Sequence, residues 1–280
     1  MKKAEELKKT LKNLKRVVVA YSGGLDSTFL LKAAIDTLGR DNVIAVTARS
    51  ETYPLSEYRE ARNMARIFGA KHLTINTREL KIKNFKSNPV NRCYYCKKEL
   101  FKRLNAVKKR YGMEHVVDGT NLDDLKDIRH GSKAAQEEGV KRPLLESRIT
   151  KDDIRKLSKK LRLSTWSKPS FACLASRFPF NERITVEGLK RIEEAEGRMR
   201  RMGFRQVRVR LHGKTARIEV PGSSLSLGLK LKDKIVKDLK DLGFVYVTLD
   251  LEGYRTGSMH EEIGSGDRIF SPTVIDSEES

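Results

Sequence analysis

The chain has 280 residues, with 58 Lys and Arg against 37 Asp and Glu, for a formal net charge of +21. Hydrophobic residues at 38%, charged residues at 34% and only 7 Pro exclude a disordered or collagen-like chain. No apolar run reaches the roughly 20 residues of a membrane span, and three cysteines argue against a secreted disulfide scaffold, so a soluble, cytoplasmic protein of about two domains is expected.

MKKAEELKKTLKNLKR at the N-terminus reads as a charged amphipathic helix without the apolar centre of a signal peptide. The run from Arg16 to Tyr21 is a strand of buried type, and a helix follows through Phe29, Leu30 and Ala33 to Leu38. Asn42 to Thr47 is a second strand. Ser56 is placed to cap a helix to about Phe68, and His72 to Ile75 is a short third strand. A helix from about Lys97 to Lys109 leads to a fourth strand, His115 to Asp118. Strands alternating with helices predict a doubly wound parallel α/β sheet. Thr150 and Asp153 form a capping box for a helix to about Leu161.

After about residue 181 the pattern changes. A helix from Val186 to about Met202 precedes strands Gln206–Leu211 and Ala216–Val220, joined by a turn at Gly213. A helix at about Leu229 to Leu242 and a strand at Phe244 to Leu249 complete an αββαβ order. The chain is therefore divided into an α/β domain over 1–180, a smaller α+β domain over 181–265 containing an antiparallel pair, and a frayed polar tail over 266–280.

The charge is uneven. Residues 1–180 hold 40 basic and 20 acidic side chains, and residues 181–280 hold 18 and 17. Residues 78–110 alone hold 12 basic and 2 acidic ones. Such a field draws nucleotides, phosphorylated metabolites or RNA, although a Lys-rich solvated surface is also common on thermostable proteins.

Between the first strand and its helix lies Ala20-Tyr-Ser22-Gly23-Gly24-Leu-Asp26-Ser27-Thr28. The glycines let backbone amides approach a ligand, Ser22, Ser27 and Thr28 add hydroxyls, and the helix N-terminus adds a positive dipole. This is an anion cradle of pyrophosphate size, distinct from the Walker A and GxGxxG patterns. A carboxylate there, Asp26, suits a Mg²⁺ ion bridging phosphates. The loop resembles the SGGxDS signature of the PP-loop ATP pyrophosphatases. That resemblance implies cleavage of ATP between the α and β phosphates, giving an adenylate. It places ATP against Ala20, Ser22, Gly23, Gly24, Asp26 and Ser27. It also places adenine at Thr47 and Ala48, and ribose and phosphates beside Gly119, Asn121 and Asp123.

Cys93 and Cys96 stand three apart in NRCYYCK, and Cys173 follows in FACLASR. A CxxC alone fits a redox pair, a zinc half-site or chance, and no partner pair completes a four-ligand zinc site. Three thiolates suit a 4Fe-4S cluster with one open iron, and Arg92, Lys97 and Lys98 are expected to lower the thiol pKa values.

Together SGGLDST, NRCYYCK, DGTN, KPSFACLASRFP and YRTGSM resemble the LarE family, over about residues 5–265. These are ATP-dependent sulfur transferases of nickel-pincer nucleotide cofactor synthesis. The resemblance implies that Cys173 carries the transferred sulfur and that the substrate is pyridinium-3,5-dicarboxylic acid mononucleotide. It further implies homo-oligomeric assembly. Members that sacrifice the cysteine lack the CxxC pair, so Cys93 and Cys96 align this chain with cluster-bearing members. Arg208 and Arg210 alternate on a strand and share one face; they match the family's substrate-phosphate position. Ser176 and Arg177 are further substrate candidates, and Glu193, Glu194 and Glu196 read as helix surface, with a place for one of them facing the substrate at the domain junction as the alternative. An iron-sulfur-dependent tRNA thiolase is the alternative enzyme, with RNA on the basic half, although no RNA-binding module is visible. A nucleotide sensor or iron-sulfur carrier is the non-enzymatic reading.

Overall fold

The computed structural model describes residues 2–125, 131–169, 171–255 and 257–261; the expected tail over 266–280 lies outside the described residues. The first half runs α1 (Lys2–Leu14), β1 (Val17–Ala20), α2 (Leu25–Leu38), β2 (Val43–Arg49), α3 (Leu55–Ile67) and β3 (Lys71–Asn76). It continues through the short α4 (Lys83–Lys86), then α5 (Arg92–Arg110), β4 (His115–Val117), α6 (Gly131–Glu137), α7 (Pro143–Glu146) and α8 (Lys151–Lys160). All four strands are parallel, in the order β3-β2-β1-β4.

The strand sequence explains the two-sided cover. In β1, Val17 and Val19 bury with Leu7, Leu11 and Phe29, whereas Val18 buries with Phe101 and Leu104 of α5 on the opposite face. A strand buried on both sides reads as a continuous apolar run, which VVVA is. The chain winds outward to β3 and then returns to lay β4 on the other side of β1. The reversal leaves a crevice at the carboxyl ends of β1 and β4, where open α/β sheets take ligands.

The second sheet comprises β5 (Arg208–His212), β6 (Thr215–Glu219) and β7 (Tyr246–Leu249). As expected, β5 and β6 are antiparallel; β7 adds to β6 in parallel. α9 (Val186–Arg201) and α11 (Lys232–Lys240) cover it through Leu189, Ile192, Ala195, Ile235 and Leu239. This core also takes Phe85, Leu174, Ala175 and Phe178, and Tyr95, Cys96 and Cys173 pack on it.

Three element expectations change. The helix expected from Lys97 begins at Arg92, because its first turns pack Tyr95 and Cys96 on the second core, outside the apolar period that faces the sheet. Pro54, not Ser56, holds the N-cap position of α3. The helix expected over 229–242 is two, α10 (Leu225–Lys230) and α11, meeting at Leu231. The Thr150–Asp153 capping box is present. No described helix is long and apolar enough to cross a membrane.

Candidate active site

The loop from Ala20 to Ser27 sits at the head of β1 and is held by its own atoms. The Ser22 N–H donates to Ser27 Oγ at 3.2 Å, and the two hydroxyls lie 3.0 Å apart. Gly23 has φ +64°, and a Cβ there would stand 2.6 Å from Ala61 Cβ. Only glycine fits this close, left-handed position. A Cβ on Gly119, after β4, would meet the Ser27 nitrogen at 3.0 Å, so the first and fourth loops touch backbone to backbone. Asp26 is half-buried in the first turn of α2, where the helix dipole favours a carboxylate.

Thr47 is buried and structurally engaged. Its hydroxyl donates to the Tyr21 carbonyl at 2.9 Å and therefore accepts from His72 Nε2 at 2.9 Å. Burial and then Arg62 lower the His72 pKa, so the ring is neutral and protonated on Nε2. Ala48 beside it is half-buried. Asn121 Oδ1 accepts from the Asp123 N–H at 3.0 Å, while its buried Nδ2 has no hydrogen-bond partner among the described residues. Such an orphaned donor is what a nucleotide acceptor would satisfy. Asp123 Oδ2 accepts from the Lys151 N–H at 2.8 Å, tying this segment to the start of α8.

Two groups at this site carry no helical or strand period and are absent from the sequence-based site. Lys168 reaches Glu57 and Glu60 at 2.7 Å each, and the Gly23 carbonyl at 3.5 Å. Burial alone would lower its pKa, but the hydrogen bonds it donates to Glu57 and Glu60 raise it, and the ammonium is held charged against the loop. Tyr53 donates its hydroxyl to the Ser22 carbonyl at 2.7 Å. The usable signal for Lys168 is its place in KPSFACLASRFP; Tyr53 has none.

The three cysteines converge from two elements. Cys93 is exposed in the first turn of α5, one turn from Cys96, and Cys173 lies on the segment that crosses the second core. Contrary to expectation, the Cys96 thiol is raised well above its ordinary value: burial dominates, Glu79 and the other two thiols add to it, and Lys97 opposes only weakly. Cys96 and Cys173 pack on the same core, and Cys93 and Cys173 both contribute to the rise of the Cys96 pKa. Among the described residues no three His, Cys, Asp or Glu side chains close around a single metal ion; a cubane cluster instead takes each thiolate on a separate iron. Arg92, next to Cys93 in the chain, is buried with Nε and Nη1 lacking hydrogen-bond partners among the described residues, its guanidinium 4.8 Å from the Phe180 ring. Three thiols are a donor set whose chemistry fits an iron-sulfur cluster.

Arg177 does not offer its charge to a substrate. It is fully buried, and its guanidinium makes a forked pair with Glu196 at 2.7 and 3.1 Å. It also donates to the carbonyls of Ala172 and Cys173 at 2.7 and 3.0 Å. It is the clamp of the Cys173 loop. Ser176 likewise turns inward, donating to the Cys173 carbonyl at 2.9 Å. Glu196 is correspondingly not surface but fully buried; burial would raise its pKa, and Arg177, Arg208 and Arg200 reverse that shift. Glu193 accepts from the Leu55 N–H at 2.8 Å, and Glu194 remains exposed.

Arg208 and Arg210 do share a face of β5, yet each is only 5% exposed. Arg210 donates to Glu219 at 2.7 Å, Ser258 at 3.1 Å and the Ser176 carbonyl at 2.9 Å. Arg208 lies 5.9 Å from the Phe171 ring and 5.5 Å from the Tyr254 ring. Burial and the neighbouring Arg177 lower its pKa to about 10. Arg177, Arg208 and Arg210 are thus gathered with the buried carboxylates Glu196 and Glu219, and Arg177 and Arg210 bond the Cys173 loop through the carbonyls of Cys173 and Ser176.

The doubly wound sheet and its glycine loop define a nucleotide-binding domain of PP-loop type, and residues 3–116 match the family model described as NAD synthase. An uncharacterized protein of Synechocystis sp. is 43% identical over 265 residues, covering 92% of this chain and 97% of that one. The pyridinium-3,5-bisthiocarboxylic acid mononucleotide synthase of Lactiplantibacillus plantarum is 40% identical over 253 residues, covering 90% of this chain and 92% of its own. The tRNA-specific 2-thiouridylase MnmA of Desulforamulus reducens is 27% identical over 55% of this chain and 53% of its own. The chain belongs to the pyridinium-3,5-bisthiocarboxylic acid mononucleotide synthase family.

Proposed function

We propose that the chain is an ATP-dependent sulfur transferase acting on pyridinium-3,5-dicarboxylic acid mononucleotide in the cytoplasm. A substrate carboxylate oxygen attacks the α-phosphorus of ATP, the bond to the bridging oxygen breaks, and pyrophosphate leaves. The Ser22–Ser27 amides and hydroxyls, with Lys168, bind the departing phosphates; Ala20, Thr47, Ala48, Gly119, Asn121 and Asp123 line the rest of the nucleotide. Asp26 would hold Mg²⁺, which neutralises phosphate charge. Sulfur then attacks the adenylated carbonyl carbon, AMP leaves with the bonding electrons, and a thiocarboxylate remains.

Cys93, Cys96 and Cys173 would hold a 4Fe-4S cluster, which would supply sulfide as the sulfur donor. Without it, the Cys173 thiolate attacks directly. Loss of its Cα proton then breaks the Cβ–S bond and leaves dehydroalanine at 173. Residues 1–180 serve the nucleotide and 181–265 the substrate, whose phosphate meets the guanidinium face of β5 at Arg208 and Arg210. Homo-oligomeric assembly follows the same reading and is checked by light scattering.

The observation that carries this reading is the physical continuity of the two loops: Lys168 and Tyr53 bond the phosphate loop to the segment bearing Cys173. The test is anaerobic protein with ATP, Mg²⁺ and the pyridinium dicarboxylate, scored for pyrophosphate, thiocarboxylate, iron and the mass of Cys173. Absence of pyrophosphate overturns the proposal. Loss of one H₂S mass from iron-free protein retains the transfer and replaces the cluster with the sacrificial route. Thiolation of tRNA instead of the small substrate selects the alternative.

A further inference from the structure

The segment that follows β2 touches three parts of the site at once. Ser50 begins a tight turn, its carbonyl accepting from the Tyr53 N–H at 3.2 Å and its hydroxyl lying 3.0 Å from that of Thr52. The Thr52 carbonyl accepts from the Leu174 N–H at 2.9 Å, one residue past Cys173. Tyr53 sends its hydroxyl to the Ser22 carbonyl at 2.7 Å and packs the edge of its ring on Phe171, with centroids 6.3 Å apart. Leu55 then starts α3, with its N–H on Glu193 of α9. A rigid turn is thus bonded on one side to the loop that binds phosphate and on the other to the loop that carries sulfur.

We propose that Tyr53 is a positioning residue that holds the Cys173 loop in register with the nucleotide on the phosphate loop. The inference rests on the sulfur-transfer reading for its chemical consequence, but its geometry does not. Ser22 and Cys173 come from distant parts of the chain, and a nucleophilic addition to a carbonyl carbon tolerates little misplacement. The phenol is suited to the task. Its burial, and then Glu57, hold its pKa well above the ordinary tyrosine value, so it stays a donor at any working pH. Phe at this position keeps the ring contact with Phe171 and removes only the bond to Ser22.

Two measurements on the full chain test this with Tyr53→Phe, whose melting temperature is recorded alongside. The first is the rate of Cys173 alkylation by iodoacetamide, read by mass spectrometry on iron-free protein with and without a non-hydrolysable ATP analogue. One hydrogen bond is worth a factor of roughly five, so the analogue slows alkylation about fivefold in the wild type and less than about twofold in the variant. The second is thiocarboxylate formed per pyrophosphate released, which falls about fivefold in Tyr53→Phe while pyrophosphate release itself falls much less. A residue that merely supports the fold would lower both yields together and leave their ratio unmoved. The proposal is overturned if the analogue leaves wild-type alkylation unchanged, or if the variant matches the wild type in both measurements. If wild-type protein releases no pyrophosphate, the sulfur-transfer reading fails, and the alkylation arm still decides for or against Tyr53.

Discussion

Buried charge sets the roles of single residues. Arg177 and Glu196 are wholly inside, so removing one partner strands the other. Arg177→Met is expected to cost about 3–5 kcal/mol, measured by urea unfolding. Arg177→Lys recovers little of it, since an ammonium cannot reproduce the fork and the two carbonyl bonds. Lys168 is different in kind, because it bridges two carboxylates and the carbonyl of Gly23 at the mouth of the loop. Lys168→Met is expected to lower pyrophosphate release by roughly 10²-fold, the scale of losing one preorganised charge-stabilising donor, with unfolding stability changed far less. Gly23→Ala fails for a steric reason, with Cβ against Ala61 and φ in the left-handed region. A stability loss of about 1–3 kcal/mol and loss of ATP binding are expected together, by calorimetry.

At the scale of elements, helix starts do much of the positioning. α8 begins with a reciprocal box: Thr150 Oγ1 accepts from the Asp153 N–H, and Asp153 accepts from the Thr150 N–H. The same carboxylate takes Lys3 Nζ from α1 at 2.6 Å, and the Lys3 bond, against burial and with help from Thr150, lowers its pKa to about 2. A depressed carboxylate stabilises the fold fully above its unfolded value, and the contribution is lost as pH falls through that value toward about 2. Asp153→Asn is therefore expected to cost about 1 kcal/mol near neutral pH. It also flattens the acid limb of a melting-temperature profile between about pH 4 and 2. Asp123, bonded to the Lys151 N–H of the same helix, connects this start to the loop after β4.

Over the whole molecule, charge is uneven: residues 1–180 hold nearly all of the net positive charge. The basic stretch 78–110 runs from the second core along α5 and brackets Cys93 and Cys96 in sequence. A small phosphorylated substrate touches few of these charges, whereas a polyanion covers many. Between about 50 and 200 mM salt, tRNA affinity is therefore expected to fall by orders of magnitude, while the Michaelis constant for ATP changes by no more than a few-fold. A tRNA complex that survives the higher salt would favour the thiolase alternative.

The parallel sheet was legible because its signal is local. VVVA, VIAVTAR and the glycines after β1 each state their own conformation through steric and periodic rules, and Thr150-x-x-Asp153 does the same for a helix start. The paired arginines on β5 were legible for the same reason, since alternation places them on one face whatever surrounds them. Burial was not legible. Glu196 and Glu194 are two apart on one helix with similar neighbours in sequence, yet one is fully buried and the other exposed, because only the rotation of α9 against β5 decides which meets Arg177. Cys96 looked activated by the cations beside it in sequence, but the second core desolvates it and raises its pKa instead. Tyr53 and Lys168 owe their places to contacts across about 30 and 145 residues of chain. The sequence by itself determined the sheet, the phosphate loop and the inventory of sulfur and charge. Tertiary structure alone decided which of those groups are desolvated, paired and brought within reach of one another, because solvation and Coulomb energies depend on distances that only the closed fold creates.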